Sequence, residues 1–391
     1  MAEMFIIGLC AILLVSYLFD ITTKFTKIPS VIFLLAAGWL LQQINGMFNF
    51  PVPDFTVILP VLGTVGLILI VLEGSLELEM SHSAKGVIKK SMLVALVPVI
   101  VIAVGFAIFL YYEWQIPFKQ GLINMIPFAI ISSSIAIPSA INLISSKRQF
   151  ITYESSLSDI FGVILFNFIT LNDDIGASSV GHFVLEIFII LVITFVATLG
   201  LAFLLSKIKH PVKFIPIILS LVLIYAVTKV YHLPGLIFIL LFGIFLGNLD
   251  ELKNNKFIQK LKPDLLDKEV HKFKELTAEI AFLVRALFFL LFGYLIETAE
   301  LLNTETIVWA IGICVGIFAL RYISLTIFKI NLKPILFIAP RGLITILLFL
   351  SIPDNQVTNL VNNSLVIQVI ILSALVMMFG LMTNKPNGEN T

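Results

Sequence analysis

Long apolar segments follow one another along the 391-residue sequence, separated by short loops that carry most of the charges. Each segment is roughly 17–25 residues long, the length that a helix needs to cross a bilayer. Backbone groups find no water in lipid, so only helices or a closed barrel can span it, and the alternation typical of barrel strands is missing. We distinguish thirteen segments, at about residues 4–20, 28–44, 56–76, 91–112, 118–144, 152–171, 182–206, 214–230, 233–249, 278–297, 305–327, 333–352 and 362–383.

The composition agrees with a protein surrounded by lipid. Charged residues make up only 13% of the chain, about half of the roughly 25% that a soluble domain carries on its water-facing surface. We therefore predict an all-α polytopic membrane protein with about thirteen transmembrane helices.

Lysine and arginine are concentrated in every second loop. The loops and the tail that follow odd-numbered segments hold 20 of the 25 basic residues, whereas the opposite side has only Lys119 and Lys229. Basic loops stay in the cytoplasm, so this pattern predicts a plasma (cell inner) membrane protein with its N-terminus outside and its C-terminus in the cytoplasm. No basic tract is typical of a nucleic-acid-binding arm, so no nucleic-acid partner is expected.

Two distant segments share one sequence pattern. Residues 28–38 and 233–243 both carry proline, Ile-Phe, leucine and glycine in the same register. Segments 2 and 9 cross the membrane in opposite directions, which indicates an inverted repeat of six and six helices joined by segment 7. Chance similarity between apolar segments is the alternative.

Ionisable residues inside apolar segments are costly, so each one is a candidate for function. The candidates are Glu73, Asp159, Arg285, Arg321 and Arg341, with Glu154 near a segment end. Asp159 and Arg285 each lie eight residues from the predicted cytoplasmic end of their segment, a depth of about 12 Å. We therefore expect these two to form a pair near the membrane midplane, with a purely structural ion pair as the alternative.

Two segments contain proline in positions that interrupt a helix. Segment 5 carries the run Ser132–Ser139, which includes Pro138, and Pro127 lies upstream of it. Segment 12 carries Pro334 and Pro340. Proline removes a helical hydrogen bond, and the freed carbonyls are candidate cation ligands. The two segments correspond under the inverted repeat, which favours paired broken helices over simple kinks.

Three short stretches combine acidic, small and basic residues. Residues 153–163 are Tyr-Glu-Ser-Ser-Leu-Ser-Asp-Ile-Phe-Gly-Val, residues 72–78 are Leu-Glu-Gly-Ser-Leu-Glu-Leu, and residues 340–344 are Pro-Arg-Gly-Leu-Ile. In this order they resemble the Glu-Ser…Asn-Asp helix, the Phe-Glu-Gly-Gly-Leu segment and the Arg-Gly motif of monovalent cation/proton antiporters, in the sodium/proton exchanger branch. Arg321 falls where the preceding helix of that family carries an arginine.

The resemblance implies the sodium/proton antiporter fold, with two crossed broken helices and usually a homodimer. Residues 1–84 would then form scaffold and dimerisation helices, and residues 85–175 the first core helices. Residues 176–300 would supply the linker and further scaffold helices, with an amphipathic cytoplasmic loop at 250–277, and residues 301–391 the remaining core helices and a short cytoplasmic tail.

The resemblance also implies roles for individual residues. Asp159 would be alternately protonated and bound to the cation, with Arg285 as the basic residue that pairs with the key aspartate in some branches. The residues that bind the cation would be Asp159, Ser155, Ser158, Glu73 and the main chain near Ala136. The residues that support this site would be Glu154, Pro138, Ser134, Arg321 and Arg341. Alternatively, the two arginines have a structural role, in which they cap broken helix ends or pair with Glu154. The metal ion at Asp159 would be transported Na⁺, and no resident cofactor is implied.

The chain departs from the family pattern in two places that bear on ion selectivity. The family usually has Thr-Asp-Pro at the crossing in segment 5, where this chain has Ala136-Ile137-Pro138. The asparagine that precedes the key aspartate is replaced by Ser158.

These features predict a secondary antiporter and no enzyme, since no metal-ligand cluster, nucleophile elbow or phosphate loop occurs in the sequence. Competition between H⁺ and a monovalent cation for one acid, combined with alternating access, amounts to exchange. A single titrating acid predicts electroneutral one-for-one exchange of Na⁺, or alternatively Li⁺, for H⁺. A potassium/proton antiporter or ion-coupled symporter of the same fold is the alternative function, and a channel or receptor is a further one.

Overall fold

The computed structural model describes residues 10–11, 13–19, 21, 29–48, 58–78, 85–172, 176–208, 210, 212–252, 259 and 263–383. In these parts of the chain all regular secondary structure is helical. The helices are α1 (Ser30–Phe48), α2 (Ile58–Leu76), α3 (Lys85–Trp114), α4 (Phe118–Ala129), α5 (Ser133–Ser139), α6 (Ser145–Leu171), α7 (Ala177–Lys207), α8 (Phe214–Val230), α9 (Leu236–Gly247), α10 (Leu249–Leu252), α11 (Pro263–Tyr294), α12 (Thr298–Leu301), α13 (Thr304–Ile327), α14 (Leu343–Leu350) and α15 (Asn363–Thr383), with 3₁₀ turns at Ile335–Phe337 and Asp354–Gln356.

The predicted all-α membrane architecture is confirmed. Nine helical spans among the described residues are long and apolar enough to cross a membrane, with α4 and α5 counted as one span. The apolar helices α8 and α9 are shorter. Each predicted segment from the second onward contains one of these helices, except the twelfth, which contains the 3₁₀ turn Ile335–Phe337 and the short helix α14. The described residues of the first segment are helical. The total of thirteen spans stays a prediction.

The predicted cytoplasmic loop at 250–277 and the tenth segment are largely one structure. Helix α11 runs for 32 residues from Pro263, so the amphipathic stretch continues without a break into the membrane span. Leu266, Val270 and Phe273 recur at helical spacing and are buried, whereas Lys268 and Lys272 on the other face are exposed. Such an amphipathic face is the expected form for a helix that leaves the membrane and packs on the cytoplasmic surface.

The helices pack in two groups. In one group α11 packs on α1 and α2, and α9 packs on α2 and α7. In the other group α3 packs on α4, α6 and α13, and α13 packs on α15. Helix α2 also contacts α5, α6 and α14 of the second group, so it forms the principal surface between the two groups.

Glycines of the two similar sequence stretches allow close helix packing. A Cβ at Gly38 of α1 would overlap the Leu290 carbonyl of α11, and a Cβ at Gly243 of α9 would overlap the Ser75 side chain of α2. Each stretch therefore places its glycine against a neighbouring helix of the same group. The inverted repeat itself stays a prediction.

Candidate functional site

Two helix interruptions meet in the interior, as predicted. Helix α4 ends at Ala129, and Ile130 has an extended backbone with φ −87° and ψ 133°. The second interruption runs between the 3₁₀ turn at Ile335–Phe337 and the start of α14. The Ser132 N–H donates to the Pro340 carbonyl at 2.9 Å, which joins the two interruptions directly.

The crossing lies upstream of the position that the family resemblance indicated. Ala136, Ile137 and Pro138 are inside α5, where the Ala136 N–H donates to the Ser132 carbonyl and the Ala136 carbonyl accepts from Ala140 N–H. The main chain near Ala136 is therefore used in helical hydrogen bonds, not freed by the break. The extended stretch begins at Ile130, and the Ile131 N–H next to it donates to the Ser158 hydroxyl at 3.0 Å.

Arg341 neutralises the end of the broken helix α4. Its guanidinium is buried and donates to the carbonyls of Phe128 at 2.7 Å, Ala129 at 3.2 Å and Ala339 at 2.6 Å. A cation is favourable at the C-terminus of a helix, where unpaired carbonyls carry partial negative charge. These contacts correspond to the alternative in which Arg341 caps a broken helix end.

Asp159 lies in the middle of α6 and is buried next to the crossing. Its Oδ2 accepts a hydrogen bond from the Ser133 N–H at 3.4 Å and a short one from the Ser133 hydroxyl. Its Oδ1 is buried and has no hydrogen-bond donor among the described residues. Ser133 is not among the predicted site residues, although the run of serines at 132–134 is the signal that could have indicated it.

The other predicted ligands on α6 lie beside Asp159. Ser155 is one helical turn away, and its hydroxyl donates to the Ile151 carbonyl at 2.8 Å, which leaves the oxygen able to bind a cation. Ser158 accepts from the Ile131 N–H, so it positions the extended stretch. Ser134 bonds to the Ser132 hydroxyl at 2.8 Å and makes no hydrogen bond to Asp159.

Arg321 forms a buried bidentate ion pair with Glu154. Its two terminal nitrogens reach the Glu154 carboxylate oxygens at 2.6 and 2.9 Å. The same guanidinium donates to the carbonyls of Ile335 and Leu336. This pair joins α6, α13 and the second interruption, and it corresponds to the alternative in which an arginine pairs with Glu154.

The expected pair between Asp159 and Arg285 is wrong. Arg285 of α11 forms its ion pair with Glu73 of α2, at 4.0 Å. Both residues lie on helices of the same packing group, and Asp159 lies on the other group. The prediction rested on equal depth in the membrane, which does not determine the direction in which a side chain points around its helix. Arg285 points to α2.

Closely packed residues lie on the side of this site that the loop charges predict to be cytoplasmic. A Cβ at Gly74 of α2 would come within 3.1 Å of the Ser156 hydroxyl and 3.3 Å of the Ile137 side chain. Directly after the end of α2, Glu77 lies 3.8 Å from Arg148 of α6 and 3.8 Å from Lys274 of α11. Glu77 therefore bridges the two groups of helices.

A cavity of 320 Å³ lies on the opposite side of the site, and we call it the vestibule. Its residues closest to the site are Leu67 of α2, Val163 of α6 and Leu347 of α14. Val163 is one helical turn from Asp159, about 6 Å along the axis. These side chains form an apolar layer in the vestibule lining, about one helical turn from the buried carboxylate.

Comparison with known proteins places this geometry in a family. A family model described as "Sodium/hydrogen exchanger, transmembrane" matches residues 10–385. A solved structure of the sodium proton antiporter MjNhaP1 from Methanocaldococcus jannaschii at pH 8 matches with a TM-score of 0.70 and 18% identity, over 98% of this chain and 99% of that chain. An electron-microscopy structure of the same antiporter matches with a TM-score of 0.67 and 17% identity, over 99% and 100%.

No curated protein sequence matches the chain. The solved structures share the fold at low identity, and the family model covers nearly the whole sequence. The chain is a multi-pass membrane protein that belongs to the sodium/hydrogen exchanger family.

Proposed function

We propose that this protein exchanges a monovalent cation for H⁺ across the plasma membrane, with Asp159 as the group that both ions share. Na⁺ is the proposed cation, with Li⁺ as an alternative, and the exchange is electroneutral at one ion for one proton. The N-terminus lies outside the cell and the C-terminus in the cytoplasm, as the loop charges predict.

The observation that carries this proposal is the isolation of the Asp159 carboxylate. The buried Glu154 is neutralised by Arg321, and Glu73 pairs with Arg285. Asp159, in contrast, has only the neutral donors of Ser133 among the described residues. A lone buried carboxylate is costly in a membrane interior, so it is stable when a proton or a bound cation neutralises it.

Oxygen atoms suited to a cation lie on the residues next to this carboxylate. Alkali cations are hard and prefer oxygen ligands, as Ca²⁺ and Mg²⁺ do. Asp159 offers Oδ1, and the hydroxyls of Ser155 and Ser133 lie on the same site. A cation bound there replaces the proton, which produces competition.

Alternating access requires the two helix groups to move against each other. We assign residues 85–175 and 301–391 to a moving core, and residues 1–84 and 176–300 to a scaffold that also forms a homodimer. The pair Glu154–Arg321 lies within the core and the pair Glu73–Arg285 within the scaffold. The movement therefore breaks neither pair, and the interface crossed by the weak Glu77–Arg148 contact is the one that opens.

The charge that crosses with the core is the same in either loaded state. Na⁺ and H⁺ each add one positive charge to Asp159, and the guanidinium groups keep their protons. Exchange of one for the other moves no net charge.

Reconstituted flux tests the proposal. Purified protein in liposomes that contain a pH dye is exposed to Na⁺, Li⁺ or K⁺ gradients, and we expect proton movement with Na⁺ that is lost in Asp159→Asn. Ser139→Ala is the matched control, because that hydroxyl bonds only to the Ile135 carbonyl inside α5. Retained Na⁺-dependent proton flux in Asp159→Asn overturns the mechanism, and flux with K⁺ alone establishes the potassium alternative.

A further inference from the structure

The lining of the vestibule includes an exposed lysine. Lys229 lies in the last turn of α8 and lines the cavity together with the polar residues Asn167 and Thr170. Lysine is uncommon on this side of the protein, where the sequence places only Lys119 and Lys229. By the loop charges this is the external side.

No acidic side chain balances Lys229 among the described residues that line the vestibule. Lys229 also forms no ion pair with a described residue within 4.0 Å. The other titratable groups that line the vestibule are His232 and Tyr225. Glu186 of α7 lies behind them and lines a smaller adjoining cavity together with His232 and Asn167.

A charge of one sign in a cleft with low-dielectric walls changes the local concentration of ions. A positive charge lowers the concentration of every monovalent cation by the same factor, whatever its chemistry. The floor of this cleft is the apolar layer at Val163, one helical turn from Asp159, so the potential acts on ions about to enter the site.

Accepting the proposed exchange function, we propose that the charge of Lys229 adds a positive contribution to the potential in the vestibule and thereby lowers the affinity of the external face for the transported cation. Its role is electrostatic and acts at a distance, so Lys229 is not a ligand of the cation.

This role has a distinctive signature. Na⁺ and H⁺ carry the same charge. Removal of the lysine charge therefore lowers, by one common factor, the external Na⁺ concentration and the external H⁺ concentration at which the transport site is half-occupied. We expect this factor to be about two- to tenfold at low ionic strength, for charges about 10 Å apart at an interface with water. A change in the shape of the site alters the two concentrations unequally.

The experiment uses the full-length protein in liposomes with external pH and Na⁺ varied on one side. The variants are Lys229→Arg, Lys229→Gln and Lys229→Glu, with Lys119→Gln as a control for an external lysine that lines neither cavity. All carry His232→Asn, which removes the second basic group; asparagine tolerates the positive φ of 58° at that position.

We expect Lys229→Arg and Lys119→Gln to behave as the parent. Lys229→Gln should lower both external half-saturation constants by the same factor, and Lys229→Glu by the square of that factor, because the potential is linear in charge. High concentrations of an impermeant salt such as choline chloride should remove the differences. The maximal exchange rate and the constants on the cytoplasmic face should stay unchanged.

Three results overturn the inference: unchanged constants in Lys229→Gln, a change in the Na⁺ constant without an equal change in the H⁺ constant, or an equal effect of Lys119→Gln. None of these results contradicts the proposed exchange function, as long as the parent protein still couples Na⁺ movement to H⁺ movement. Absence of any coupled flux in the parent overturns the proposed function, and this inference with it.

Discussion

Ser133 donates both its backbone N–H and its hydroxyl to a single oxygen of Asp159, at the point where the broken helix resumes. The carboxylate is thus oriented by one residue of α5, and its second oxygen is buried without a hydrogen-bond donor among the described residues, so it can take a proton or a cation. Helix α6 supplies the charge, and the interruption in the fifth segment supplies the donors that hold it.

The first prediction concerns this contact. Ser133→Ala removes one hydrogen bond to the ionised carboxylate, the form that binds Na⁺. A hydrogen bond to a charged group contributes about 1.5–3 kcal/mol, so we expect at least a roughly tenfold rise in the Na⁺ concentration for half-maximal exchange at fixed pH. Na⁺-titrated proton flux measures it, with Ser139→Ala as control. An unchanged Na⁺ requirement in Ser133→Ala contradicts the role of this hydroxyl.

The second prediction concerns the buried pair of Arg321 and Glu154. Arg321→Met leaves a buried carboxylate without a partner and should destabilise the protein by about 3–5 kcal/mol. The double variant Arg321→Met/Glu154→Gln should recover much of this loss, because it removes both charges. Thermal unfolding in detergent compares the variants. Loss of exchange at unchanged stability would instead show that Arg321 takes part in transport directly.

The third prediction follows from the pairing of Arg285 with Glu73 in the scaffold. Since Arg285 does not pair with the transporting aspartate, Arg285→Gln should leave the exchange electroneutral. Imposing a potassium diffusion potential with valinomycin measures this. We expect the same flux at zero and at imposed voltage in both proteins. A voltage-dependent flux confined to the variant would mean that the Arg285 charge crosses the membrane with the substrate.

The fourth prediction concerns the closed cytoplasmic side. Arg148→Gln removes the contact with Glu77 that joins α6 to α2. An exposed ion pair contributes about 0.2–1 kcal/mol, so the population open to the cytoplasm should rise by up to about fivefold. The rate at which a cytoplasmic thiol reagent modifies Ile137→Cys, in a protein that lacks Cys10 and Cys314, reports this population.

Lys147→Gln is the control for that measurement. Lys147 adjoins Arg148 on α6 but donates to the Lys333 carbonyl, which lies at the start of the twelfth segment within the core. Its replacement should leave the labelling rate unchanged. Equal acceleration by both variants would attribute the effect to surface charge instead of to the contact with α2.

The sequence by itself determined that the chain is an all-helical multi-pass membrane protein, that its fifth and twelfth segments are interrupted and which carboxylate is the candidate for transport. These properties are local or additive. Apolar length sets a span, proline removes a hydrogen bond, and an acid inside an apolar run is costly wherever its helix packs.

Only the tertiary structure decided which side chains meet. Position along a helix predicts the depth of a residue in the membrane, at 1.5 Å per residue. Which neighbour a side chain faces depends on how its helix is rotated against the other helices, and this rotation is fixed only when the helices pack. For this reason Arg285 and Asp159, expected as a pair, lie on different groups of helices, and Ser133 takes the place beside Asp159. The crossing moved from Ala136–Pro138 to Ile130 for the same reason, because the Ser158 hydroxyl of a neighbouring helix satisfies the backbone where α4 ends.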